Sequence, residues 1–153
     1  MKRNEKLYVK TAIAFLIATL AVEVSVLITS KATGWDSAVN GRPWAVAAHV
    51  HLIVLGAVWS LLLVLLEKNY EISKIGLAKP AYITYLSGLC AVVALILYKG
   101  FTQLAGGKLI RGLTEGGAAI AHTALFVGLF MWAYVIWKSV SRDKGTENAD
   151  AAE

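Results

Sequence analysis

Residues 44–66 read WAVAAHVHLIVLGAVWSLLLVLL, an apolar run broken only by His49, His51 and Ser60. About 20 apolar residues, at ~1.5 Å each, cross the ~30 Å hydrocarbon layer of a bilayer. The stretch therefore predicts a membrane-spanning helix. An ionisable side chain inside such a helix is costly and marks a functional site by default. The third histidine of the chain, His122, holds the matching place in another apolar run.

The rest of the chain has the same character. Of 153 residues, 58% are hydrophobic and 16% charged, against about 25% charged in a soluble domain. Four apolar runs predict helices at about 7–30, 44–66, 81–98 and 118–137. One all-α, integral-membrane four-helix bundle thus occupies 1–140, and 141–153 is a small acidic tail expected to be disordered and cytoplasmic. The first run is too long for a signal-peptide core and no small-x-small cleavage site follows, so it reads as a retained helix. Its one charge is Glu23.

The connections are short and polar. Residues 31–43 hold Gly34, Trp35, Asn40, Gly41 and Pro43, the last suited to a helix start. Residues 67–79 are charged, with a surface turn expected around 72–77. Pro80 opens the third run, and residues 99–117 form the longest loop, rich in glycine and partly apolar, as if lying on the membrane surface. Lys2, Arg3, Lys6, Lys10, Lys68, Lys74, Lys79, Lys138, Arg142 and Lys144 fall on one side, against Lys31, Arg42, Lys99, Lys108 and Arg111 on the other. The excess of basic residues marks the cytoplasmic side, so both termini are expected there.

Several function classes drop out. The net charge of +5 resides beside the apolar runs, where it sets topology rather than binding nucleic acid. Cys90 stands alone in mid-run, which forbids a disulfide or thiolate cluster within one chain and suggests a small core residue. No nucleophilic triad, phosphate loop or thiolate zinc motif is present, so no self-contained enzyme is expected.

With the amino terminus inside, His49 and His122 each lie roughly 7 Å below the outer boundary, and Glu23 roughly 10 Å. Three ionisable groups from three helices share one outer layer, with nothing comparable in the inner half. His49 and His51 are about 200° apart around their helix, so both cannot readily serve one metal ion. His49 shares its stripe with Ala45, Gly56, Ser60 and Glu67, small and polar residues of the kind membrane helices turn toward one another. His51 shares its stripe with Trp44, Leu55, Val58 and Leu62, which face lipid or a different helix.

An internal repeat agrees. Ala48-His49 is followed ten residues on by Trp59, and Ala121-His122 by Trp132, with Gly56 and Gly128 between. If two helical hairpins repeat about an axis normal to the membrane, His49 and His122 are pseudo-symmetric partners. Two facing imidazoles are what a six-coordinate b-type haem takes as axial ligands. Arg42, Lys99, Lys108 and Arg111 would pair with propionates at that level. Glu23 would fix a histidine tautomer or hold a proton.

The His-x-His opening the second run, Leu55-Gly56, the exit Leu65-Leu66-Glu67-Lys68-Asn69, Lys99-Gly100-x-x-Gln103 and Gly116-Gly117-x-x-x-x-His122 together resemble a family of small bacterial four-helix membrane proteins of unknown function. The likeness covers about 8–140. That family in turn resembles the haem-copper oxidase catalytic subunit, in which haem-ligating histidines sit near the outer ends of membrane helices. The resemblance implies His49 or His51, with His122, as axial ligands. The histidine cluster needed for a copper centre is missing, which leaves haem binding or electron transfer.

The reading is a plasma-membrane protein, in a bacterium the inner membrane, that holds haem b near its outer face for electron transfer or gas sensing. The expected metal ligands are His49 and His122, with His51 as alternate. Its partners would be the lipid bilayer and a redox partner or a second copy. The rivals are a small proton or cation transport or channel subunit using Glu23, His49 and His122, and a cofactor-free scaffold or assembly subunit.

Overall fold

Each apolar run is helical in the computed structural model, which describes residues 3–150 and, for side chains, 3–142. The helices long and apolar enough to cross a membrane are α1 (Arg3–Ala32), α2 (Val46–Tyr70), α3 (Ala78–Leu104) and α4 (Gly112–Arg142). Helical backbone continues from α4 to Asp150. The disorder expected of 141–153 falls, past Arg142, outside the fully described residues. There is no strand among the described residues. The bundle has two ends: a terminal end with Arg3 and Arg142, and a histidine end.

The helices pair as two hairpins, α1 with α2 and α3 with α4. Lipid supplies no hydrophobic force between helices, so close backbone approach through small residues has to do that work. In the first hairpin Gly56 faces Phe15, and in the second Gly128 faces the Tyr85 backbone while Gly88 faces that of Leu125. The repeat seen in the sequence thus has a packing counterpart: in each hairpin a glycine of the second helix meets an aromatic residue of the first. The tryptophans then cross over. Trp59 meets Tyr85 of the other hairpin at a tilt, ring centres 5.9 Å apart, and Trp132 meets Tyr8 edge-on at 6.4 Å.

Within α2, residues His51–Val58 form a π-helical stretch. Such widening frees carbonyls, and in a membrane each must find a donor. Tyr85 Oη donates to Leu55 O at 2.5 Å and Ser60 Oγ to Gly56 O at 2.6 Å. The stripe of Ala45, Gly56, Ser60 and Glu67 is buried throughout, whereas Trp44, Val58 and Leu62 face outward.

Two expectations need correction. α3 does not end at 98 but runs through Lys99 and Gly100 to Leu104. The reason is a long-range contact: a Cβ on Gly100 would stand 2.1 Å from Ala45 N, so the bare backbone lets this last turn pack on the start of α2. Gln103 Oε1 accepts from Trp44 N–H there at 3.1 Å. The connection that follows is correspondingly shorter than the 99–117 loop. Cys90 is exposed on the outside of α3, not a core residue. The turn expected around 72–77 is a 3-10 turn at Ile72–Lys74.

Candidate functional site

At the histidine end, α1 and α2 bring Glu23 against His49. Thr19 and Val26 of α1 are buried, and Glu23 flanks them with 47% of its side chain exposed. Its Oε1 lies 2.7 Å from Nδ1 of His49, whose side chain is 28% exposed. Nδ1 is buried, and the contact is close without being an aligned hydrogen bond.

His51 and His122 share a different arrangement. Nδ1 of His51 lies 2.9 Å from Ala47 O, and Nδ1 of His122 lies 2.8 Å from Ala118 O. A carbonyl only accepts, so Nδ1 carries a proton in both rings, and in the neutral form of each ring the lone pair is on Nε2. Metal-binding imidazoles are commonly oriented by such a bond from the other nitrogen. Alanine four residues earlier in each case keeps the carbonyl reachable.

The structure therefore brings Glu23 to His49 but does not join His49 to His122 by any hydrogen bond or ion pair among the described residues. α4 rests on α3 and meets α2 through Trp59–Tyr70, in the terminal half. No group of three or more His, Cys, Asp or Glu side chains is placed to hold a metal ion among the described residues. Of the proposed propionate partners, Arg42 and Arg111 are exposed at this end. Lys99 Nζ sits 3.5 Å from the centre of the Trp44 ring, a cation–π contact that ties the end of α3 to the start of α2.

The terminal half holds polar groups that the sequence reading passed over. Glu67 is 1% exposed, accepting from Ser73 N–H at 2.9 Å and Ser73 Oγ at 2.5 Å. Tyr8 is buried beside Tyr82 at 5.5 Å, and Tyr82 Oη and Thr11 Oγ1 share a hydrogen bond of 2.6 Å. The signal for Glu67 was its place on the buried His49 stripe, although its neighbours at the run's end, Lys68 and Asn69, suggested exposure.

Fold and site together define a multi-pass, all-α membrane protein with ionisable groups paired inside its spans. Residues 5–139 match the family described as "Protein of unknown function (DUF2871)", and the chain belongs to that family. Comparison with curated proteins gave no match, and neither did comparison with solved structures.

Proposed function

We propose that this membrane protein holds a b-type haem through Nε2 of histidines at the histidine end, for one-electron transfer or gas sensing. The supporting observation is the matched Nδ1 tether of His51 and His122. It turns Nε2 of an imidazole on α2 and of another on α4 away from the tethering carbonyl, and imidazole nitrogen is the donor that haem iron takes. His122 is the ligand common to every pairing. His51 is favoured over His49 as its partner by the like tether, while His49 with Glu23 would set charge and hold a proton beside the group. Bound haem would supply the redox or gas-binding chemistry. In this reading both termini are cytoplasmic and the histidine end faces outward, on the lysine and arginine count.

The test is the visible spectrum of the full chain, expressed with haem precursor and purified in mild detergent. The expected result is a Soret band that His122→Ala abolishes and His51→Ala weakens or shifts. No band, or one unchanged in both variants, overturns the proposal. The haem-to-chain ratio separates an axial pair within one chain from one shared by two copies.

The Glu23–His49 contact favours a second reading, a proton-exchanging site in a small transport subunit. A carboxylate against an imidazole inside a membrane span can pass a proton between them. Proton flux into liposomes carrying the protein would then fall at least tenfold in Glu23→Gln. Flux that ignores the substitution overturns it.

A further inference from the structure

A cavity of about 630 Å³ opens at the terminal end of the bundle, away from the histidines. Arg3, Lys6 and Lys10 line it from α1 and Lys79 from the start of α3. Offsets of three and seven residues put the three α1 cations on one helix face. Among the described residues, no carboxylate lines the cavity. Four positive side chains around one space repel each other, and an anion among them relieves that repulsion; Glu67, held on the lining Ser73, is buried behind the wall. The backbone adds the same sign: α3 begins at Ala78 with no side chain capping its first turn, so the positive end of a long helix points here.

The remaining walls are amphipathic. Tyr8 and Tyr82 line the interior, and Leu7, 45% exposed, lies at the margin. Tyrosine rings of this kind collect where headgroups meet hydrocarbon. The space is far larger than a phosphate ion, and its apolar margin lies at the end of membrane-spanning helices.

We infer that this cavity binds the phosphate-bearing headgroup of an anionic phospholipid, with Arg3, Lys6, Lys10 and Lys79 around the phosphate and the glycerol end against Leu7 and the tyrosines. Basic pockets between membrane helices recognise such headgroups by this chemistry. Arg3 supplies a planar two-pronged donor and the lysines supply compact charge.

The test uses the full chain in neutral detergent, titrated with phosphatidylglycerol, with phosphatidylcholine or with inorganic phosphate. Retained lipid is counted by native mass spectrometry and the thermal midpoint is recorded. Phosphatidylglycerol is expected to stay bound and raise the midpoint, while the other two do neither. Each lysine near an anionic group is worth roughly a factor of five in affinity, so Lys10→Gln with Lys79→Gln weakens phosphatidylglycerol binding about 25-fold. Both residues are exposed, which spares the fold. Lys68→Gln with Lys138→Gln removes equal charge from exposed positions at the same end outside the cavity, and should weaken binding less than about threefold through screening. Equal weakening by the two double variants makes the effect general surface charge and overturns the site. An equal midpoint shift with phosphatidylcholine overturns the headgroup assignment. An equal shift with inorganic phosphate makes a soluble anion the ligand and overturns the lipid.

Discussion

Gly128→Val is expected to dissociate α4 from α3, whereas Gly116→Val leaves the bundle intact. A Cβ at position 128 would stand 2.5 Å from both N and Cα of Tyr85, closer than real Cβ contacts allow. The obstacle is backbone, so no side-chain rotation relieves it and the helices must move apart. Moving them also opens the Gly88 contact with Leu125, because both glycines lie on the same seam. Overpacking a tight site costs about 1–3 kcal/mol, and lipid supplies no hydrophobic force to press the helices back together. A Cβ at Gly116 meets nothing within 4 Å, so its replacement should fall within about ±0.5 kcal/mol. Thermal midpoints in detergent, read by loss of the monodisperse peak, check both. Equal midpoints for the two variants would show that the α3–α4 seam does not depend on close approach at Gly128.

That seam marks the border of what the sequence made legible. Run length alone yields the four helices, and the Gly56/Gly128 and Trp59/Trp132 spacing announces a repeat, because both are local patterns. The common layer of Glu23 and His49 follows from counting residues along opposed helices, and the structure turns that shared depth into a contact. Other features depend on partners distant in the chain. Lys99-Gly100 looks like a loop until Ala45 is seen against it, since a glycine reads locally as a breaker. Cys90 lies in a run apolar on every side, where no period distinguishes the inward from the lipid-facing surface. Helical phase separates His51 from His49. The Nδ1 tether that His51 shares with His122 depends on rotamer choice, which no spacing reveals. Glu67 stood beside Lys68 and Asn69 in an exit that reads as solvated.

Glu67→Ala is accordingly expected to loosen the α2–α3 connection more than any other single truncation there. The carboxylate takes both the N–H and the hydroxyl of Ser73 while almost wholly buried. Beyond Tyr70 the chain turns through Glu71 at φ +48°, a left-handed conformation that a side chain adopts at a cost. An ion pair between Lys74 and Glu71 adds little at an exposed position. Removing the carboxylate leaves the Ser73 groups without their partner, and because Ser73 is half-buried the two together cost about 2 kcal/mol, within the range of about 1–3 kcal/mol for one fully buried group left unmade. Lys68 and Lys74 are exposed, and local opening of the turn frees the backbone beside them for trypsin; cleavage tracks the open population when reclosing is fast. A loss of about 2 kcal/mol therefore predicts roughly 30-fold faster cleavage there. Glu67→Gln keeps an acceptor for the Ser73 N–H, so its cleavage should be intermediate. Ser73→Ala removes only the hydroxyl bond, so it should cost about 1 kcal/mol. Cleavage of Glu67→Ala at the wild-type rate would mean that the turn is held by packing of Ile72, itself fully buried, and not by the carboxylate.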